Sequence, residues 1–319
     1  MKRRNFVTQG LGAAAALTFP LMNAGAAPSS APFSPTPPQT PPAGGAAKPG
    51  RFKLRYAPSF GQFKAHAGDD LTAQIKFASD EGFTAMFDNG LMSRSADHQE
   101  TISRELAKRN MLLGPFVLWA EFGKTTLVTK DKDVREAMLQ KMKQGVETMN
   151  RTGCKQALLV PGRYHESLDW EYQTANVIEN LRLCDEICRP AGMVLVLEPL
   201  NPKNHPGLFL SKIPQAYEIC KAVNSPSCKI LNDMYHQQIT EGNIIPNIEA
   251  AWDEIAAFHI GDNPGRKEPT TGEINYRNVF KRIFDKGFQG ALGMEHGQSR
   301  PGKDGERAVI EAYRACDAF

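Results

Sequence analysis

The chain has 319 residues, 41% of them hydrophobic and 23% charged, a globular composition long enough for one large domain plus an appendage. Its net charge of +3 is set at the start: Lys2, Arg3, Arg4 and Lys48 lie in the first 50 residues, which carry no acid, so residues 51–319 sum to −1. A nearly neutral body gives no electrostatic support to nucleic-acid binding.

Residues 1–26 read as a signal and not as part of a fold. Lys2-Arg3-Arg4-Asn5-Phe6-Val7 sets a twin arginine before an aromatic and an apolar residue, and a mild Ala/Leu-rich stretch ends near Ala24-Gly25-Ala26. The pattern resembles a bacterial twin-arginine (Tat) export signal, which implies a periplasmic protein. The apolar stretch is short and interrupted by Pro20, so no stable membrane anchor is expected. Residues 27–50 are mostly Pro, Ala, Ser, Thr and Gly, and nine of the chain's 22 prolines fall in the first 50 positions. Such a segment buries too little to order itself and is expected to be a disordered linker. The remaining stretch, 51–319, is close to the roughly 250 residues of a (β/α)₈ barrel.

From Phe52 onward, strand and helix patterns alternate. The first strand spans 53–57 and is closed by Pro58; its helix opens at Asp69-Asp70-Leu71, with acids in its first turn, and runs to 82. Strand two covers 85–89 and strand three 111–119, with helices at 99–109 and 131–149. Strand four, 156–160, stops at Pro161-Gly162, and helix 168–189 is expected to end at Pro190-Ala191-Gly192. Strand five is 194–197, and three more strands lie within 229–236, 256–262 and 291–297. Helical patterns at 212–223, 244–255, 276–286 and 304–315 separate and follow them. Eight strand–helix pairs in one domain predict a closed (β/α)₈ TIM barrel over an open doubly wound sheet. There is no G-x-G-x-x-G after the first strand and no P-loop, which argues against nucleotide binding. Six cysteines (154, 184, 188, 220, 228, 316) show no C-x-x-C zinc spacing, and buried thiols and disulfides both fit them.

Chemistry gathers at the ends of the last four strands. Val194-Leu195-Val196-Leu197 is a continuous apolar run of the kind buried on both faces of a parallel sheet, and it delivers Glu198 before Pro199 stops the ladder. At that end of a barrel strand catalytic side chains project. A buried carboxylate is costly unless it is paired, hydrogen-bonded or on a metal. The next three strands repeat the pattern, delivering Asp233 with His236, then His259, then Glu295. Alone, Asp233 reads equally as an Asx-turn residue and His259 as a core histidine. Together, Glu198, Asp233, His259 and Glu295 make a hard-to-borderline divalent site suited to Mn²⁺, Mg²⁺, Co²⁺ or Zn²⁺. Rim candidates for substrate contact are Trp119, Glu121, His165 and His205.

The stretches LEPLN (197–201), NDMYH (232–236), FHIGDNPGRKEPTTGEINY (258–276) and GMEHG (293–297) resemble the hydroxypyruvate isomerase group of the xylose isomerase-like TIM barrels, within the sugar phosphate isomerase/epimerase superfamily. The resemblance covers roughly 51–319 and is densest after Leu195. It implies one divalent ion, Mn²⁺ or Mg²⁺ first, on Glu198, Asp233, His259 and Glu295. It also implies substrate contacts from His236 and Arg266. Moving a proton between neighbouring carbons needs an acid and a base, so Glu198 and Glu295 are the catalytic candidates, with His236 to polarise or protonate the carbonyl oxygen. The implied reaction is isomerisation of a small α-hydroxy carbonyl compound, hydroxypyruvate to tartronate semialdehyde being the leading candidate. Classical members resemble this chain but are cytoplasmic and carry Gln where His259, typical of the ketose epimerases, stands. The competing expectations are a periplasmic sugar epimerase or keto-glycoside lyase on the same metal site, a metal-dependent nuclease, and a non-catalytic sugar-binding protein. The partner expected is a small molecule; a homodimer is compatible with the pattern.

Overall fold

The apolar runs become parallel strands wrapped by amphipathic helices. A computed structural model of the chain describes residues 50–319, so the twin-arginine segment and nearly all of the Pro/Ala-rich stretch lie outside the described residues. Seven strands form one parallel sheet: β1 (Arg55–Pro58), β4 (Phe116–Ala120), β5 (Gln156–Val160), β6 (Val194–Leu197), β7 (Cys228–Asp233), β8 (Ile255–Ile260) and β9 (Ala291–Met294). With β2 (Ala85–Met86) and β3 (Leu112–Leu113) forming a separate parallel pair, the order in the large sheet is β1-β9-β8-β7-β6-β5-β4.

The ring is completed through the stretch around β2. Ser59 bridges Phe87 in parallel, the Phe87 N–H donates to Pro58 O at 3.2 Å, and the Val117 N–H donates to Asn89 O at 3.2 Å. The expected third strand is therefore two strands. Gly114-Pro115 separates β3, which pairs with β2, from β4, which pairs with β5, because proline has no N–H to donate to a ladder. Gly114 also lets the two sides approach: a Cβ there would lie 3.1 Å from both Ala291 Cβ and Phe87 Cβ.

Inside the barrel the apolar filling comes in two clusters. One is Leu158, Val160, Val196, Leu200, Leu208, Leu231 and Ala257. The other is Ala57, Ala85, Phe87 and Ala291. A larger core lies between the strands and the helices α1 (Lys64–Ala67), α2 (Leu71–Asp80), α3 (Ala96–Lys108), α4 (Lys132–Thr152), α5 (Trp170–Ala191), α6 (Ile213–Val223), α7 (Met234–Thr240), α8 (Ile244–Ala250), α9 (Tyr276–Asp285) and α10 (Gly302–Cys316). Side chains cap several of these helices: Asp70, Ser95 and Asp131 each accept an N–H from the first turn of α2, α3 and α4.

Three helical expectations change. α5 runs through Pro190 to Ala191 and stops at Gly192, whose left-handed φ of 76° closes the last turn. The predicted helix at 244–255 is shorter, with a 3₁₀ turn at Trp252–Glu254 and Ile255 already in β8. α1 and α7 were not visible as periodic patterns; they have four and seven residues, too few turns to establish a period. All six cysteines are free and buried. Among the described residues, no helix is long and apolar enough to cross a membrane.

Gly293 stands in register beside His259 on the neighbouring strand, and a Cβ there would lie 2.7 Å from His259 Cδ2 and 3.5 Å from the Phe87 ring. Gly293→Ala is expected to lower stability by about 1–3 kcal/mol, the usual cost of overpacking a filled core, read as a lower urea midpoint. An unchanged midpoint would mean that the His259 ring has room to shift.

Candidate functional site

Each strand-end residue reaches one point by a local rule. Glu198 follows β6 directly, and its N–H donates to Leu159 O at 3.3 Å, which continues the ladder one residue before Pro199. Asp233 ends β7 and caps α7: its Oδ1 accepts from the N–H groups of Tyr235 (2.8 Å) and His236 (3.2 Å), leaving Oδ2 for the barrel mouth. The Asx-turn reading of Asp233 is thus realised on one oxygen, while the other accepts from Arg266 Nη2 at 2.7 Å. His259 lies within β8 and is completely buried, its ring 5.3 Å from that of Phe87. Glu295 follows β9, and its N–H donates to Gly293 O at 3.0 Å.

The four converge. One ligand atom from each of Glu198, Asp233, His259 and Glu295 lies within 4.8 Å of the others, and they form the one such His/Cys/Asp/Glu group among the described residues. His259 presents Nδ1, 2.9 Å from Glu295 Oε2 and 3.3 Å from Glu198 Oε1, while its Nε2 is buried without a partner. The donor set is three carboxylates and one imidazole, close together and mostly buried, which is what a divalent cation requires. This buried cluster can therefore bind a metal ion.

Their electrostatics diverge. Burial pushes the Glu198 carboxyl up to about 7; the His259 bond and charge pull against this, and Glu295 adds to it. Burial also opposes the charge on Glu295, but the cations of His259 and Arg266 and the Asn89 amide hold it well below the usual carboxylate range. Burial disfavours the His259 imidazolium, yet the carboxylates of Glu295 and Glu198 outweigh it and raise the group to about 10. Burial moves His236 down to about 4.

A cavity of about 250 Å³ opens over this cluster. Glu198, Glu295, His236, His205 and Arg266 line it, with Asn89, Phe122 and apolar side chains of β4 and β5. His205 is placed as expected, its ring 5.2 Å from that of Phe122 and 5.3 Å from that of His236. Trp119, Glu121 and His165 do not line the cavity. In β4 the register shifts between Val117 and Trp119, so Val117 and Ala120 face the cavity while Trp119 packs against the outer core. His165 sits in an exposed loop, where its Nδ1 accepts from the Ser167 N–H at 3.2 Å.

Three cavity or supporting residues were not among the candidates. Asn89 donates through Nδ2 to Glu295 Oε1 at 2.6 Å. Its signal was present, since Asp88-Asn89 follows a short apolar strand as the other site residues do. Asn201, in the LEPLN stretch, holds His236: its side-chain NH₂ is 2.6 Å from Nδ1 and its backbone N–H is 3.3 Å away. Tyr235 lies beneath Arg266, with the guanidinium carbon 4.8 Å from the ring centroid.

The residue pattern of the xylose isomerase-like TIM barrels matches positions 75–316. The chain belongs to that family. Among its relatives, the hydroxypyruvate isomerase of Escherichia coli K12 is 27% identical over 249 residues, covering 77% of this chain and 93% of that one. The 2-oxo-tetronate isomerase of Cupriavidus necator is 32% identical over 122 residues, covering 38% of this chain and 47% of that one. A solved structure titled AP endonuclease, family 2, from Brucella melitensis superposes with a TM-score of 0.67 at 24% identity, covering 79% of this chain and 96% of that one, a likeness of fold.

Because burial holds a proton on Glu198 up to about pH 7, a cation entering this xylose isomerase-like cluster must expel it. His259, raised to about 10, must shed its proton as well, so Mn²⁺ affinity is expected to rise by roughly tenfold per pH unit between about 7 and 10 and more steeply below 7. Calorimetric titration in buffers of different ionisation enthalpy measures the released proton. A pH-independent affinity with no proton release would contradict this.

Proposed function

We propose that this protein is a metal-assisted isomerase of small α-hydroxy-keto acids, with hydroxypyruvate to tartronate semialdehyde as the leading reaction. The isomerase class rests on the named relatives. The observation that carries the reading is the meeting of two glutamates, a histidine and an arginine on one small cavity.

Interconverting the two compounds takes a proton from the carbon bearing the hydroxyl and returns one to the neighbouring carbon, through an enediolate. A divalent ion on Glu198, Asp233, His259 and Glu295, most simply Mn²⁺ or Mg²⁺, would supply Lewis-acid stabilisation of the charge that develops on the two oxygens. The chain's own residues divide the proton work. Glu295 is in the ionised form that a base requires, its proton affinity lowered by His259, Arg266 and Asn89. Glu198, poised near neutrality by burial, is suited to deliver a proton to the adjacent carbon. His236 and Arg266, on the same wall, suit the carbonyl oxygen and the carboxylate of the substrate.

Arg266, on the cavity wall, favours an acid over the neutral sugars of an epimerase or keto-glycoside lyase, because a guanidinium can hold a substrate carboxylate through two parallel hydrogen bonds. A nuclease has less support, with a single ligand cluster among the described residues and a body that sums to −1. A binding protein without chemistry would have no need of two glutamates with such different proton affinities.

Glu198→Gln and Glu295→Gln keep an oxygen donor but cannot carry a proton. Each is expected to slow deuterium exchange from D₂O into hydroxypyruvate by at least about 10²-fold, read by loss of the ¹H NMR signal on Mg²⁺-loaded protein. Exchange at the wild-type rate in both variants would sink the two-glutamate assignment.

Export remains part of the reading: we infer that residues 1–26 direct the chain to the periplasm by the Tat route, on the strength of Arg3-Arg4 and the Ala24-Gly25-Ala26 site. Replacing Arg3 and Arg4 by Lys is expected to leave the protein in the cytoplasmic fraction; unchanged periplasmic recovery would count against it.

A further inference from the structure

Arg266 does more in this site than face a substrate. It lies in the loop after β8, at a left-handed φ of 50°, with its N–H donating to Asp262 O and its C=O accepting from Gly297, both at 2.9 Å. The stem crosses Gly261 where there is no side chain: a Cβ there would be 2.9 Å from Arg266 Cγ. Nε donates to Glu295 O at 2.9 Å. Nη2 donates to Asp233 Oδ2 at 2.7 Å and to Glu295 Oε2 at 2.6 Å. The latter oxygen is also the one facing His259 Nδ1, and both carboxylates belong to the ligand cluster. A guanidinium nitrogen bridging two of the four ligating residues is acting as their counter-ion. A divalent ion would draw on the same two carboxylates and would be repelled by the adjacent positive charge.

The neighbouring histidine records the same conflict. Asn201 Oδ1 already accepts the N–H groups of Lys203 (3.1 Å) and Asn204 (2.9 Å), so its NH₂ must be the group facing His236 Nδ1. The Asn201 backbone N–H points at the same nitrogen. Nδ1 is thus an acceptor, and the proton of neutral His236 sits on Nε2. That nitrogen is 3.1 Å from Arg266 Nη1, a donor facing a donor. Withdrawal of the guanidinium relieves this contact and leaves Nε2–H facing Asp233 Oδ2, 3.7 Å away.

We propose that Arg266 and a divalent cation are alternative counter-ions for the Asp233–Glu295 pair, so that loading the cation displaces the guanidinium and uncovers His236 Nε2–H, freeing both groups for a carboxylate-bearing substrate. This rests on the metal reading of the cluster above, and it makes cation binding the step that completes the acid-binding wall.

The test uses the full chain stripped with EDTA, in three forms: wild type, Arg266→Gln, and Gly261→Ala, which crowds the arginine stem while keeping its charge. Calorimetric titration with MnCl₂ is expected to give at least tenfold tighter binding for both variants. In ¹⁵N-labelled protein, Mg²⁺ is expected to shift the His236 imidazole signals of the wild type to positions that Arg266→Gln shows before any cation is added. Equal Mn²⁺ affinity in all three forms would overturn the exchange while leaving the metal reading standing. Tighter binding with His236 signals indifferent to both Mg²⁺ and the substitution would reduce the effect to charge repulsion, and also overturn it. If none of the three takes up Mn²⁺, both readings fall. Should Arg266→Gln fail to fold without metal, Gly261→Ala carries the affinity comparison by itself.

Discussion

The barrel mouth is governed by one electrostatic constraint: three carboxylates must share a space from which most water is excluded. Two such charges about 4 Å apart repel by about 4 kcal/mol at an effective dielectric of 20, and Glu198, Asp233 and Glu295 approach one another closely. The chain answers with His259 beneath them and Arg266 above, and it moves part of the strain onto the Glu198 proton. Much of the surrounding structure serves that arrangement. Gly293 makes room for the His259 ring, Gly261 for the Arg266 stem, Asn89 steadies Glu295 and Asn201 steadies His236.

The barrel makes such a concentration of charge tolerable because its interior is otherwise filled. Apolar side chains from β5, β6, β7 and β8 occupy one side and a small alanine-rich cluster with Phe87 the other. The polar groups are confined to the carboxyl ends of the strands, where loops supply partners. Asp233 illustrates the economy: one oxygen caps a helix and the other faces the site, so a single side chain fixes the position of His236 and contributes to the ligand set.

Unequal environments for chemically identical groups are what turn this charge cluster into a candidate acid–base device. Glu198 and Glu295 have the same functional group. One is buried beside a single imidazole, while the other has two cations and an amide hydrogen bond. Their proton affinities separate for that reason, which is the condition for one to take a proton while the other gives one.

What the sequence determined by itself was the sequence of strand ends. An apolar run followed by a liganding side chain needs only local information, and it located Glu198, Asp233, His259 and Glu295 without any knowledge of their distances. The alternation of runs also carried the barrel, since eight strand–helix units have few ways to close. Tertiary structure decided what local pattern cannot encode. The bulge in β4 turned Trp119 outward, because one extra residue reverses which face a side chain meets. His165 lies on an exposed loop, outside the cavity. Asn89 became a partner of Glu295 across 206 positions of chain. Arg266, legible as a substrate contact, turned out to bridge Asp233 and Glu295, a placement set by a left-handed backbone and the side-chain-free gap at Gly261 that only the assembled strands create.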